Sequence, residues 1–105
     1  MKDKNYIFQL IKKSVSNTEP NATLILYGSY GRGDYRDDSD FGLLVLIDKD
    51  NIKRFDQKRI KYPLYDIEFD TGTIISPLIF SKKEWELRHK NTPFYENVTR
   101  EGKIL

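Results

Sequence analysis

Hydrophobic residues along the chain recur with different spacings, and each spacing predicts a different kind of element. Four apolar residues near the start recur at helical spacing: Ile7, Phe8, Ile11 and Val15. They predict an amphipathic helix that ends in the polar, proline-containing segment 17–21. Segments 23–27 (TLILY) and 41–47 (FGLLVLI) are short, continuous apolar runs of strand-forming residues. We expect both to be strands buried on both faces of a sheet.

The middle of the chain carries a second helical pattern followed by an alternating one. Ile52, Phe55 and Ile60 fit one stripe of a helix between residues 50 and 61, capped by Asp50 or Asn51 and stopped by Pro63. Segment 65–70 (YDIEFD) alternates charged and apolar residues with period two. This alternation predicts a third strand with one acidic face, formed by Asp66, Glu68 and Asp70.

The last third of the chain contains one more strand signal and one clear helix start. Thr71-Gly72 reads as a turn that leads into segment 73–80, where Pro77 removes a ladder donor and so indicates a sheet edge or a bulge. Ser81 and Glu84 match a capping box, which predicts a short helix carrying Trp85. After Pro93 the pattern has no clear period.

Composition narrows the class of protein. A chain of 105 residues fits one domain, residues 1–105. The formal net charge of +2, from interspersed charges, argues against a dedicated nucleic-acid binder. With no cysteine and one histidine, any bound metal is expected to be a hard cation held by carboxylates. No apolar run is long enough to span a membrane and the start lacks the core of a signal peptide, so a soluble cytoplasmic protein is expected.

The segment 28–48 lies between the two apolar runs and combines glycines with aspartates. A strand that ends in Gly28-Ser29 lets the chain turn sharply into a helix whose first N–H groups point outward and suit phosphate oxygens. Asp40 comes eleven residues after Ser29, at the start of the next strand, and can face that anion site. A carboxylate opposite a phosphate calls for a cation between them, usually Mg²⁺.

These residues resemble the signature of the minimal nucleotidyltransferases of the polymerase-beta-like superfamily. The usual pattern is Gly-Ser-x-Ala/Gly-Arg-Gly followed by Ser-Asp-x-Asp-Leu-x-Val, and the chain has GSYGRG at 28–33 and SDFGLLV at 39–45. The resemblance implies an α/β (α+β) fold, a mixed sheet of about four strands backed by helices on one face. It also implies Mg²⁺ as cofactor, ATP or another nucleoside triphosphate as substrate, and transfer of a nucleoside monophosphate to a hydroxyl group.

The resemblance also assigns roles to individual residues. Gly28 and Ser29 match the phosphate-binding turn, and Arg32 either helps to hold phosphates or is a solvated loop charge. Asp40 matches the first metal ligand. The third carboxylate, which helps to activate the acceptor from a neighbouring strand, is matched best by Asp66, with Glu68 on the same face as the competing choice.

The chain departs from the family pattern at one position, because Gly42 stands where the second metal-binding aspartate should be. Asp37 and Asp38 could reach toward a cation from the loop before Asp40. Two hypotheses follow. In the first, the chain transfers AMP from ATP to a partner protein, as the transferase of a two-protein module with a helical HEPN protein. In the second, it is a catalytically impaired binding or antitoxin module. The sequence leaves a homo-oligomer open.

Overall fold

The computed structural model describes residues 4–36, 39–88 and 90–105, and it has a mixed α/β architecture. The helices of these residues are α1 (Lys4–Thr18), α2 (Ser29–Arg32), α3 (Arg54–Thr71), α4 (Lys82–Arg88) and α5 (Pro93–Glu101). The strands are β1 (Thr23–Tyr27), β2 (Phe41–Ile47), β3 (Ile75–Ser81) and β4 (Lys103–Ile104). The predicted fold class, a mixed four-stranded sheet packed with helices, is confirmed.

The four strands form one sheet in the order β3-β2-β1-β4. β1 runs antiparallel to both β2 and β4, whereas β2 and β3 are parallel and are joined by the crossover helix α3. Pro77 lies in β3, an edge strand, as its missing N–H donor predicts. β2 lies inside the sheet and is buried along its whole length.

The alternation of side chains along β2 divides the core into two clusters. The larger cluster contains Phe41, Leu43, Val45 and Ile47 of β2, packed with α1 and α3 through residues such as Ile11 and Leu64. The smaller cluster lies on the other face, where Leu44 and Leu46 meet Trp85 of α4 and Val98 of α5. The two long helices therefore cover one face, and Gly42 belongs to the opposite face because it alternates with Phe41 and Leu43.

The region between β2 and β3 differs from the sequence prediction. One helix, Arg54–Thr71, replaces both the expected shorter helix and the expected strand 65–70, and it continues through Pro63. Its buried residues Asp56, Ile60, Leu64 and Thr71 keep helical spacing across the proline. Packing of this stripe into the core outweighs the loss of one backbone hydrogen bond at Pro63. The helix ends at Gly72, which has a left-handed φ of 71°.

The remaining helix boundaries have clear local causes. The hydroxyl oxygen of Ser81 accepts a hydrogen bond from the N–H of Glu84 at 2.9 Å, which confirms the predicted cap of α4. α5 was missed, although Thr92 caps it by accepting from the N–H of Tyr95 at 3.1 Å and Pro93 occupies its first turn. Within the described residues, no helix is both long and apolar enough to cross a membrane.

Candidate functional site

The Gly28-Ser29 turn has the geometry that the sequence predicts. β1 ends at Tyr27, Gly28 has φ 70° and ψ −146°, and α2 begins at Ser29. Only glycine adopts these angles at low cost, so the sharp change of direction depends on the missing side chain. The first backbone N–H groups of a helix have no acceptor inside it and point out of its start, which is the arrangement that suits an anion.

Gly31 allows α2 to lie directly against its neighbours. A Cβ at this position would come within 2.7 Å of the carbonyl oxygen of Leu26 and 2.9 Å of that of Glu101. Both obstructing atoms belong to the backbone and cannot turn away. The glycine at the fourth position of the motif therefore fixes the start of α2 between β1 and the end of α5.

Arg32, the last residue of α2, is held by two carboxylates. Its Nε lies 3.3 Å from Asp34 Oδ2 and its guanidinium Nη1 lies 3.6 Å from Glu101 Oε2. The hydrogen bond to Asp34, followed by the charge of the same residue, raises the pKa of Arg32 above its ordinary value. The side chain remains 45% exposed and borders a cleft of about 150 Å³ together with Gly28 and Phe94. It can therefore meet an anion bound at the turn, in exchange for its present partners.

Asp40 lies immediately before β2 and two residues before Gly42, with its side chain exposed to solvent. The next N–H along the chain, that of Phe41, donates to the carbonyl oxygen of Ile74 at 2.8 Å and starts the pairing of β2 with β3. Asp40 thus lies at the edge of the sheet where β2 begins, beside the face that carries Gly42. Asp37 and Asp38, the loop carboxylates that could reach toward a cation, lie outside the described residues.

The ring of Tyr27 fills the space above Gly42. Tyr27 and Gly42 are paired across β1 and β2, and a Cβ built on Gly42 would be only 2.6 Å from Tyr27 Cε2 and 2.8 Å from Cδ2. The ring also makes an edge-to-face contact with Phe94 at a centroid distance of 5.2 Å. An aspartate side chain at position 42 would thus need the volume that the tyrosine ring occupies.

Ser76 lies on the other side of Gly42. The parallel register of β2 and β3 pairs Gly42 with Ser76, so Tyr27, Gly42 and Ser76 form a row across three strands. The hydroxyl of Tyr27 points to the carbonyl oxygen of Ser76 at 3.5 Å, and burial raises the pKa of Tyr27. On this strand neighbouring β2, the position beside Gly42 thus holds a serine instead of a carboxylate.

Asp66 and Glu68, the two candidates for the third carboxylate, do not lie on a strand as the alternation predicts. Asp66 and Glu68 lie in α3, whose buried side packs on the face of the sheet opposite to Gly42. Asp66 is exposed. A carboxylate oxygen of Glu68 accepts a hydrogen bond from the N–H of Ile75 at 2.8 Å, which ties the end of α3 to the start of β3. The alternation in 65–70 was misleading because Ile67 also fits the helical stripe with Ile60 and Leu64.

The model of the family described as "Nucleotidyltransferase domain" matches residues 9–101. Because the match spans most of the chain, the protein belongs to the nucleotidyltransferase domain family.

Two relatives come from Methanocaldococcus jannaschii. One, named "Putative protein adenylyltransferase MJ0141", is 40% identical over 60 residues, which are 56% of this chain and 59% of the relative. The other, named "Putative protein adenylyltransferase MJ0604", is 36% identical over 90 residues, which are 78% of this chain and 75% of the relative. The chain thus covers less than two thirds of the first of these proteins.

Two solved structures share the fold. A crystal structure of a toxin–antitoxin with AMP-PNP has a TM-score of 0.59 and 19% identity, over 98% of this chain and 72% of that one. A mutant of the toxin–antitoxin MntA–HpeT gives a TM-score of 0.59 at 18% identity, with the same coverage. At these identities the likeness concerns the fold.

The residues present do not fit the two-metal site implied by the resemblance. The family generally uses a divalent metal with a nucleoside triphosphate, and such a site needs several carboxylates held close together. Within residues 4–36, 39–88 and 90–105, no group of three or more acidic, histidine or cysteine side chains could hold a metal ion. Gly42 and Ser76 lack a carboxylate, which leaves Asp40, among the residues the structure describes, as the acidic side chain at this end of β2.

Proposed function

We propose that the protein binds a nucleoside triphosphate at the Gly28-Ser29 turn and acts as the antitoxin-like member of a two-protein module. In this proposal it holds its partner by contact and has little or no nucleotidyl-transfer activity. The observation that carries the loss of activity is the ring of Tyr27 above Gly42, within 2.6 Å of the position of a Cβ. The space for the second metal-binding carboxylate is filled, so the chain lacks both the ligand and the room for one.

Loss of the second metal-binding carboxylate is expected to lower the rate of nucleotidyl transfer strongly. Removing one group that stabilises the charge of the transition state typically lowers the rate by about 10²–10³-fold. Ser76, beside Gly42 on β3, offers a hydroxyl and no carboxylate. Each carboxylate contributes its own charge and ligand, so a site with Asp40 and no second aspartate attracts a divalent cation less strongly.

Nucleotide binding is supported by different residues from those that have changed. Gly28 keeps the positive φ that the turn needs, Gly31 keeps α2 close to β1, and Arg32 borders the adjacent cleft. In the proposal, the N–H groups at the start of α2 and the Arg32 guanidinium receive the terminal phosphates. A toxin–antitoxin of similar fold has been crystallised with AMP-PNP, which supports a triphosphate as the ligand.

The partner in this proposal is a helical HEPN-type protein, as the resemblance of the motifs to minimal nucleotidyltransferases implies. The toxin–antitoxin assemblies among the structures of similar fold support a protein partner. The cleft beside the turn, lined by Tyr27, Phe94 and Asn97 among others, offers aromatic and amide groups to a side chain inserted there.

A second candidate function is the transfer of AMP from ATP, with Mg²⁺, to a hydroxyl of the partner protein. The names of the two archaeal relatives favour it. Asp40 is then the first metal ligand, and Asp66 is the sequence-based choice for the third carboxylate. Asp66→Asn tests that choice: because Asp66 lies on α3, behind the sheet face that carries Gly42, the substitution should leave transfer unchanged, whereas a loss of transfer would support Asp66 as the third carboxylate.

The deciding experiment measures transfer of labelled AMP from ATP and Mg²⁺ to the protein encoded beside this one, with binding of that protein measured in parallel. The native chain is expected to bind the partner and to transfer no more label than Asp40→Asn does. Transfer by the native chain that disappears in Asp40→Asn would overturn the proposal in favour of the second candidate. Gly42→Asp combined with Tyr27→Ala tests whether clearing the site restores a metal ligand.

The phosphate turn is tested separately by equilibrium dialysis with labelled ATP. Gly28→Ala should weaken binding, because alanine does not adopt the φ of 70° found there. Gly33→Ala is the matched control, since Gly33 also has a positive φ of 86° and open space around its Cα but ends α2 instead of starting it. Equal losses in the two variants, or no binding by the native chain, would contradict the assignment of the turn.

A further inference from the structure

The outer side of α3 carries a stripe of exposed aromatic residues. Their exposed fractions are 67% for Phe55, 57% for Tyr62, 45% for Tyr65 and 89% for Phe69. Phe55, Tyr62 and Phe69 are seven residues apart, and Tyr65 follows Tyr62 by three, so all four share one face of the helix. The buried residues of α3, from Asp56 to Thr71, lie on the other side. We call these four residues the aromatic stripe.

Such a stripe is unusual for a surface that meets only water. α3 already buries one apolar side against α1 and the sheet, so the aromatic stripe adds nothing to the core. Contiguous exposed apolar residues on a soluble protein commonly mark a binding surface. Among the described residues, the stripe has lateral contacts, with Arg59 above the ring of Phe55 at 5.6 Å and Tyr62 against Tyr65 at 6.3 Å.

The charges beside the aromatic stripe are divided between the two halves of the helix. The half before Tyr62 carries the exposed basic residues Arg54, Lys58 and Arg59. The half after Tyr62 carries the exposed acidic residues Asp66 and Asp70. A surface with one basic and one acidic end is complementary to itself when a second copy is turned end over end.

We propose that α3 is the interface of a homodimer in which the helices of two copies pack antiparallel, with the twofold axis at Tyr62. This arrangement sets each residue at the height of the one equally far beyond Tyr62. Phe55 then meets Phe69 of the partner subunit, and the basic half of each helix, with Arg54 and Lys58, lies along the acidic half of the other, which holds the partner's Asp66 and the partner's Asp70. The same pairs recur on the other side of the axis, as a twofold interface requires.

The charges select this direction over the parallel one. Parallel helices would bring Arg54 and Lys58 beside their own copies, and like charges in contact oppose association. The antiparallel arrangement places the basic half of each helix beside the acidic half of the other. Arg59 comes to the same flank of the contact as Asp66 of the partner subunit, which has the opposite charge. The proposal does not depend on nucleotide chemistry, because α3 packs on the sheet face opposite to Gly42.

Sedimentation velocity and light scattering over a concentration series test the dimer with the full chain. The native protein is expected to be dimeric at high concentration and to dissociate on dilution. Phe69→Ser should abolish the dimer while leaving the circular dichroism of the folded chain unchanged, since Phe69 is almost fully exposed. A native chain that stays monomeric at every concentration overturns the proposal and leaves the stripe to a different partner protein.

Charge reversal tests the antiparallel register. Variant one carries Arg54→Glu and Lys58→Glu, and variant two carries Asp66→Lys and Asp70→Lys. Each variant by itself is expected to be monomeric, because both halves of its helix then carry the same sign of charge. An equal mixture should dimerise, because the acidic helix of variant one then meets the basic helix of variant two.

Reversal of two exposed lysines away from α3, Lys83→Glu with Lys90→Glu, is the matched control and should leave the native dimer intact. Recovery of the dimer on mixing also shows that both variants are folded. If each variant by itself dimerises as well as the native chain, the antiparallel arrangement is wrong.

Discussion

Replacing Gly42 by alanine adds one carbon beneath the ring of Tyr27, and its consequence can be worked out from the structure. The new Cβ would lie 2.6, 2.8 and 2.9 Å from three ring carbons, whereas carbon atoms in contact ordinarily stay about 3.5–4.0 Å apart. The ring must therefore move by roughly 1 Å. Such a movement disturbs its edge-to-face contact with Phe94, which lies 5.2 Å away between centroids.

The expected magnitude is a balance of two terms. Forcing an extra carbon into a packed site typically costs about 1–3 kcal/mol. Glycine inside a strand is itself less favourable than alanine by about 0.5–1 kcal/mol, which offsets part of that cost. We expect Gly42→Ala to lower the free energy of unfolding by about 1–2 kcal/mol. At about 4–8 °C per kcal/mol for a domain of this size, Tm should fall by about 5–15 °C.

The assay is urea and thermal unfolding of Gly42→Ala, Tyr27→Ala and the double variant. If the ring causes the penalty, the same glycine substitution should cost nothing once Tyr27 is alanine, and the coupling between the two positions should exceed about 1 kcal/mol. Gly33→Ala serves as the control, because its cost comes from a positive φ and not from the ring. A native-like stability of Gly42→Ala, or an equal cost with and without Tyr27, would refute the reasoning.

Three further predictions concern stability. Hydrogen bonds from Lys49 Nζ at 2.9 Å and from the N–H of Lys53 lower the pKa of Asp56 below 3.8 in the folded chain. The stabilisation by these bonds is therefore fully present above pH 3.8 and is lost as the pH falls through the lower pKa of the folded chain. Urea midpoints at pH 6 and pH 3 should therefore differ less for Asp56→Asn than for the native chain, and an equal difference would contradict this role. Thr92→Ala removes the cap of α5 and should cost about 1 kcal/mol in unfolding experiments, whereas Thr92→Ser keeps the oxygen and should cost clearly less. Gly31→Ala places a Cβ 2.7 Å from a backbone oxygen, so thermal unfolding should show a larger loss than for Gly42→Ala, where a side chain can yield; the reverse order would disprove that comparison.

Local signals were enough for most of the elements. α1 and both central strands follow from short-range patterns, and β1 and β2 have the predicted bounds. The cap at Ser81 and the glycine turn at Gly28 also follow, because hydrogen bonding and φ preferences act within a few residues. The crossover region was predicted less well, since period-two and helical patterns coincide over 65–70 and Pro63 reads as a stop when the core around it is unknown.

The candidate site divides in a similar way between local and non-local information. The motif by itself predicted the sharp turn at Gly28, placed Asp40 at the start of β2 and showed the missing carboxylate at Gly42. Strand pairing, in contrast, decides what lies beside Gly42, and no short segment contains that information. Tyr27 and Ser76 are 49 residues apart in the chain, yet the register of three strands brings them to either side of Gly42.

The sequence therefore determined the family signature, the strands of the sheet centre and the absence of a second metal-binding carboxylate, because these depend on the identity of single residues and on local spacing. Tertiary structure decided that Tyr27 fills the space above Gly42, that Ser76 lies beside it and that Asp66 sits on a helix on the opposite face. It also decided which side of α3 enters the core and leaves the aromatic stripe outside. These outcomes depend on packing between segments distant in the chain, where burial of apolar surface outweighs local preference.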